Sequence, residues 1–163
     1  MDWDNNLNIR LVVTNNAKYF IDIENIDIEC YTDTSEWTWK KKGDDVLHIN
    51  LRNWADIFVI VPLSANTLAK ISNGLCDNLL TCIARAWNFE KPMIVFPSMN
   101  TQMWNHPVTN KQIKLLKDFG ITVINPIEKM LACGEFGVGA IPEIDTIVSI
   151  IQSNTFRISN FIK

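Results

Sequence analysis

Short uninterrupted apolar runs alternate along this chain with stretches of helical spacing. Ile57-Phe58-Val59-Ile60-Val61 is apolar throughout, as a strand covered on both faces must be. Pro92 to Phe96 and Ile121 to Ile124 read in the same way. Ile9 to Thr14, rich in β-branched residues, predicts another strand, with a helix start at Asn15-Asn16. Ile26 to Tyr31 alternates apolar and polar residues, the pattern of a half-buried or edge strand. Val46 to Leu51 reads as a short extended piece. Helical spacing covers Ser64 to Asn73 and Asp77 to Trp87, with Gly74 as a stop between them. Pro107 to Phe119 ends at Gly120, a good residue just past a helix. Pro142 to Gln152 opens on Pro and two acids, which suit a helix N-terminus. Beyond Ser153 the periodicity is lost, and residues 154–163 are expected to fray.

This alternation predicts an α/β fold, a doubly wound parallel sheet with helices on both faces in three layers. The 163 residues suffice for one domain with a core of its own. No internal repeat or linker interrupts them. Nucleotide-binding sheets of this class usually open with a strand, a glycine-rich turn and a helix N-terminus that holds phosphate. This chain has no glycine before Gly43.

Composition narrows the function. A formal net charge of −3 gives no electrostatic case for nucleic acid. The one basic run, Lys40-Lys41-Lys42, is followed by Asp44 and Asp45 and reads as a solvated turn. Four cysteines without a C-x-x-C pair, and two histidines far from them, argue against a zinc site. Reduced thiols and a cytoplasmic location are the expectation. No apolar run reaches the roughly 18 residues of a membrane span.

Three segments carry candidate chemistry. Pro97-Ser98-Met99-Asn100 follows an apolar strand, and in open α/β sheets ligands bind beyond the carboxyl ends of strands. The Asn100 amide can donate to and accept from a small polar group there. Pro62-Leu63-Ser64-Ala65-Asn66-Thr67 also follows a strand and opens a helix. Ser64 or Asn66 can cap it, and its free N–H groups suit an anion. Leu131 to Ala140, with Gly134, Gly137 and Gly139, reads as a mobile lid whose Cys133 thiol can act as an acid. His48 is the one further residue able to exchange a proton near neutral pH in an apolar context. His106, before Pro107, reads as a loop residue. Cys30, Cys76 and Cys82 lie on periodic apolar segments and are expected as small core residues.

Taken together, Val46-Leu47-His48-Ile49, Pro62 to Lys70, Gly74-Leu75-Cys76-Asp77-Asn78-Leu79-Leu80, Pro97 to Trp104 and Leu131-Ala132-Cys133-Gly134 resemble the homo-oligomeric flavin-containing cysteine decarboxylases. The resemblance runs from about Leu11 to Ile147. It implies an FMN enzyme of coenzyme A biosynthesis that turns 4′-phosphopantothenoylcysteine into 4′-phosphopantetheine and CO₂. In that chemistry the flavin oxidises the cysteinyl moiety to a thioaldehyde, CO₂ leaves, and the enethiolate is reduced back.

By position, His48 matches the family's active-site histidine, Asn100 the asparagine that binds the substrate carboxylate, and Cys133 the lid cysteine that protonates the enethiolate. Met130 and Ala132 fall beside the substrate in the same alignment of motifs. Thr14, Asn16, Ser64, Ala65, Asn66, Thr67 and Ser98 fall where the family contacts FMN. No metal is implied. The resemblance also implies a homotrimer with active sites at subunit interfaces, without nucleic acid or membrane partners. The other role known in the family is that of a non-catalytic regulatory subunit that binds a protein phosphatase. A third is action on a peptide's C-terminal cysteine.

The sequence departs from the family at Asn15-Asn16-Ala17, Ser98 and Ile141. The family's first strand and its Gly-Ser phosphate turn have no counterpart. A strand–turn–helix unit of about 30 residues is therefore expected to be missing, most simply through an incomplete gene model. That leaves a central strand without its neighbour.

Overall fold

A computed structural model of the protein describes residues 7–161. Five strands pair in parallel. The ladder of β1 (Arg10–Val13) with β2 (Glu29–Thr32) is separate from the one joining β3 (Phe58–Leu63), β4 (Met93–Pro97) and β5 (Thr122–Val123). Among the described residues no ladder joins β1 to β3, so the expected single sheet is split in two.

The reason for β4's continuous apolar run lies in its two faces. Side chains alternate across a strand. Met93 and Val95 enter a cluster with Leu51, Leu68, Ile83, Ile113 and Leu116. Ile94 and Phe96 enter another, with Ile147, Ile150 and Ile151. The first cluster is supplied by α2 (Leu47–Trp54), α3 (Ala65–Ser72), α4 (Leu79–Arg85) and α6 (Pro107–Asp118), the second by α7 (Ile144–Phe161). Helices thus cover both faces of the three-stranded ladder, as the doubly wound reading requires. A four-residue α1 (Asp33–Glu36) and α5 (Thr101–Trp104) complete the helices.

Local chemistry sets the helix ends. Ser64 caps α3, accepting the Thr67 N–H at 3.2 Å. Asn78 and Thr81 form a reciprocal capping box on α4. His106 caps α6 through Nδ1, ahead of Pro107 at the first helical position. Gly74, at φ +73°, makes the left-handed turn that ends α3.

Several expectations are corrected. Val46 to Leu51 is not extended: Leu47–Trp54 is helical, and Leu51 is buried in the core. The second strand lies at Glu29–Thr32, later than Ile26 to Tyr31. The helix start at Asn15-Asn16 yields only a 3₁₀ turn, Ala17–Tyr19. Residues 131–140, read as a mobile lid, include the tip and second strand of an antiparallel hairpin of β6 (Ile127–Met130) and β7 (Phe136–Ala140). The last helix continues to Phe161, past the expected end at Gln152. Cys76, expected in the core, is exposed. Among the described residues no helix is long and apolar enough to cross a membrane.

Candidate active site

Three of the predicted polar positions sit just past the carboxyl ends of parallel strands. Thr14 follows β1, Ser64 follows β3 and Ser98 follows β4. Ser98 donates its backbone N–H to the Leu63 carbonyl at 2.9 Å, which holds the ends of β3 and β4 together. Thr14 Oγ1 accepts the Ala17 N–H at 3.3 Å, while exposed Asn16 starts the 3₁₀ turn without a side-chain cap bond. At α3 Ser64 Oγ takes the Thr67 N–H. Ala65 and Asn66, the first two helical residues, are left with the outward N–H groups that no helix satisfies internally.

The turn after β4 is tied to the hairpin. Gly139 O accepts both the Met99 N–H at 3.0 Å and the Ser98 hydroxyl at 3.1 Å. A Cβ at Gly139 would run into the Met99 carbonyl, so only glycine permits this approach. Gly137 leaves the same kind of room for Thr101, whose Oγ1 is buried with no hydrogen-bond partner among the described residues. The hairpin's tip is a turn closed by Gly134 N–H to Leu131 O at 2.9 Å, with Gly134 at φ +83°. This turn presents Ala132 and Cys133 to solvent, and Met130 is also exposed at the end of β6.

Asn100 and Cys133 meet at this point. Asn100 caps α5, its Oδ1 accepting the Gln102 N–H at 2.8 Å. That leaves Nδ2, a donor only, for other partners. It reaches Cys133 Sγ at 3.4 Å and Glu135 Oε2 at 3.0 Å, and the Cys133 thiol is 3.7 Å from the same carboxylate oxygen. The arrangement can bind a carboxylate at the amide and deliver a proton from the thiol beside it.

His48 has a different hydrogen-bond partner. It lies in the first turn of α2, and its hydrogen-bond partner is Glu36, which takes both the backbone N–H and ring Nδ1. No hydrogen bond joins it to Asn100 or Cys133 among the described residues. The structure joins Asn100 and Cys133 directly and pairs His48 with Glu36.

Sequence reasoning missed Glu36, Glu135 and the steric role of Gly139. Glu135 had a readable signal, an acid two positions from Cys133 at a turn. Glu36 had a weaker one, since it closes the helix opened by the Thr32 and Ser35 capping box.

Comparison with known proteins bears on this geometry. Residues 2–156 match the flavoprotein family. A phosphopantothenoylcysteine decarboxylase of Oryza sativa subsp. japonica is 54% identical over 147 residues, which span 88% of this chain and 67% of the relative. A solved cysteine-to-serine variant of PPC decarboxylase, complexed with pantothenoylaminoethenethiol, is 52% identical with a TM-score of 0.86. That match covers 89% of this chain and 81% of the other. The FMN binding protein AtHal3 is 53% identical with a TM-score of 0.81, covering 88% and 79% respectively.

Proposed function

The chain belongs to the flavoprotein family, and from that we propose that it is an FMN-dependent decarboxylase of 4′-phosphopantothenoylcysteine, producing 4′-phosphopantetheine and CO₂. The observation that carries this reading is the 3.4 Å contact between Asn100 Nδ2 and Cys133 Sγ. It sets an amide donor suited to a carboxylate beside a thiol that can carry a proton.

The residues present fit FMN. The exposed Ser64 and Asn66 side chains and the first-turn N–H groups of Ala65 and Asn66, which the helix does not satisfy internally, suit an anionic or hydrogen-bonding group. With Thr67, Ser98, Thr14 and Asn16 they form the proposed cofactor contacts. When bound, FMN supplies the reversible two-electron oxidation that lets the carboxylate leave.

The chain's own residues bind, orient and move protons. Asn100 holds the substrate carboxylate through Nδ2 until it departs as CO₂. Cys133 then gives the Sγ proton to the carbon of the enethiolate, and Met130 and Ala132 flank the substrate on the same hairpin. His48 exchanges a proton at its free ring nitrogen near the substrate's reacting end. The ligand of the solved serine variant, an ene-thiol, is the species expected when the cysteine's proton is withheld.

A homotrimer whose neighbouring subunits complete each site is part of this proposal, as is a cytoplasmic location. The test is CO₂ release from 4′-phosphopantothenoylcysteine by the purified protein, with its flavin absorbance and mass in solution. A flavin-loaded trimer that released no CO₂ would refute the activity.

A further inference from the structure

We propose that Glu36 is a positioning residue for His48, holding the imidazole in one tautomer with Nε2 left for the substrate; this rests on the reading of His48 as catalytic. One carboxylate meets His48 twice. Glu36 Oε2 accepts the backbone N–H at 3.1 Å, and Oε1 bonds ring Nδ1. An ionised carboxylate can only accept, so Nδ1 carries the proton and Nε2 becomes the nitrogen that can take up or return another. A histidine whose second nitrogen is fixed in this way is held in one orientation.

Both halves of the pair are anchored to the same helix. Glu36 closes α1, whose start is held by the Thr32–Ser35 capping box. Asp33 Oδ1, in the first turn of α1, accepts the Leu79 N–H of α4 at 3.1 Å. His48 lies on α2, which packs against α4. Rigid placement of donor and acceptor relative to a third element keeps the bond's geometry when either side chain alone would rotate. The Glu36 and His48 side chains are only 13% and 24% exposed, so water competes weakly for their hydrogen bond.

Glu36 also satisfies an N–H in the first turn of α2, as a helix cap would. A role confined to capping is read in the melting temperature. A positioning role is read in kcat and in the tautomer.

The experiment compares Glu36→Ala, Glu36→Gln and His48→Asn in the flavin-loaded enzyme, with ¹⁵N NMR of the imidazole in each protein that keeps His48. In Glu36→Ala kcat falls by about tenfold or more with KM nearly unchanged. Its His48 signal moves from the Nδ1–H pattern to one dominated by Nε2–H. In Glu36→Gln the amide oxygen still accepts Nδ1–H, so the wild-type pattern and part of kcat return. Wild-type kcat or a wild-type tautomer in Glu36→Ala overturns the inference. Full activity in His48→Asn would remove the catalytic reading of that residue and this inference with it. An inactive His48→Asn beside an unimpaired Glu36→Ala overturns the inference alone.

Discussion

Asn100 Nδ2 bridges the Cys133 thiol at 3.4 Å and the Glu135 carboxylate at 3.0 Å, although the asparagine and the two hairpin residues lie on different elements. One donor thus links the turn after β4 to the hairpin tip. The amide proposed to hold the substrate's carboxylate is thus paired with a carboxylate of the protein. If Asn100 binds the substrate as proposed, Glu135 competes with it for the same donor.

From this follows the effect of Glu135→Ala. Removing a carboxylate that competes for Asn100 Nδ2, and that repels an incoming anion, lowers KM. An exposed hydrogen-bonded contact of this kind is worth under about 1 kcal/mol, so the change is up to about fivefold. Separate determination of KM and kcat checks it. A raised KM would show instead that Glu135 assists binding.

With Cys133 as the proposed proton donor, Cys133→Ser withholds the proton from the enethiolate. Substrate binding and CO₂ release should persist, while 4′-phosphopantetheine forms on the order of a hundredfold more slowly. Mass spectrometry of the quenched reaction should find a decarboxylated species two hydrogens short of product. Product at the wild-type rate would take the proton-donor role away from Cys133.

Gly139→Ala tests whether the site is held by backbone approach. The added Cβ meets the Met99 carbonyl, part of the rigid turn that carries Ser98 and Asn100. Backbone must shift, at a cost of about 1–3 kcal/mol. Denaturant unfolding reads the loss of stability, and a raised KM reads the displacement of Asn100. A variant matching the wild type in both would mean the turn gives way without consequence.

Much of this architecture was legible before the structure. The runs at Ile57 to Val61 and Pro92 to Phe96 announced strands because both of their faces are covered, and Ser64 and Gly74 marked the ends of α3. Val46 to Leu51 misled because the segment is short and its apolar positions alternate. The group that meets its N-terminal N–H comes from Glu36, distant in sequence. The hairpin escaped notice because Glu128, Lys129 and Met130 are exposed and present no apolar face. In the site, Asn100 and Cys133 were readable singly. Their meeting, and the engagement of His48 by Glu36, depend on three-dimensional pairings that no local pattern encodes.

Acid should weaken the tie between α3 and the loop before α4. Lys70 Nζ donates to both Asp77 carboxylate oxygens at 2.8 Å, and this bond holds the Asp77 carboxyl below its ordinary value of 3.8. A depressed carboxylate contributes stability above the unfolded value and loses it as pH falls through the folded one. Asp77→Asn should therefore be less stable than the wild type near neutrality, and the two should converge below about pH 4. Urea unfolding at several pH values measures the gap. A gap that widens on acidification would reverse the sign of this argument.

Thiol chemistry separates the cysteines. Burial pushes the Cys82 thiol up, and the neighbouring Cys76, Glu36 and Asp77 push it further. The thiolate is the nucleophile, so Cys82 stays protonated and slow to react at neutral pH. Cys133, exposed at the hairpin tip, should take up iodoacetamide ahead of it. Its alkylation should stop turnover, because the blocked sulfur no longer carries a proton. Peptide mapping against residual activity over time follows both events. Activity loss that tracked Cys82, with Cys133 still free, would move the essential thiol away from Asn100.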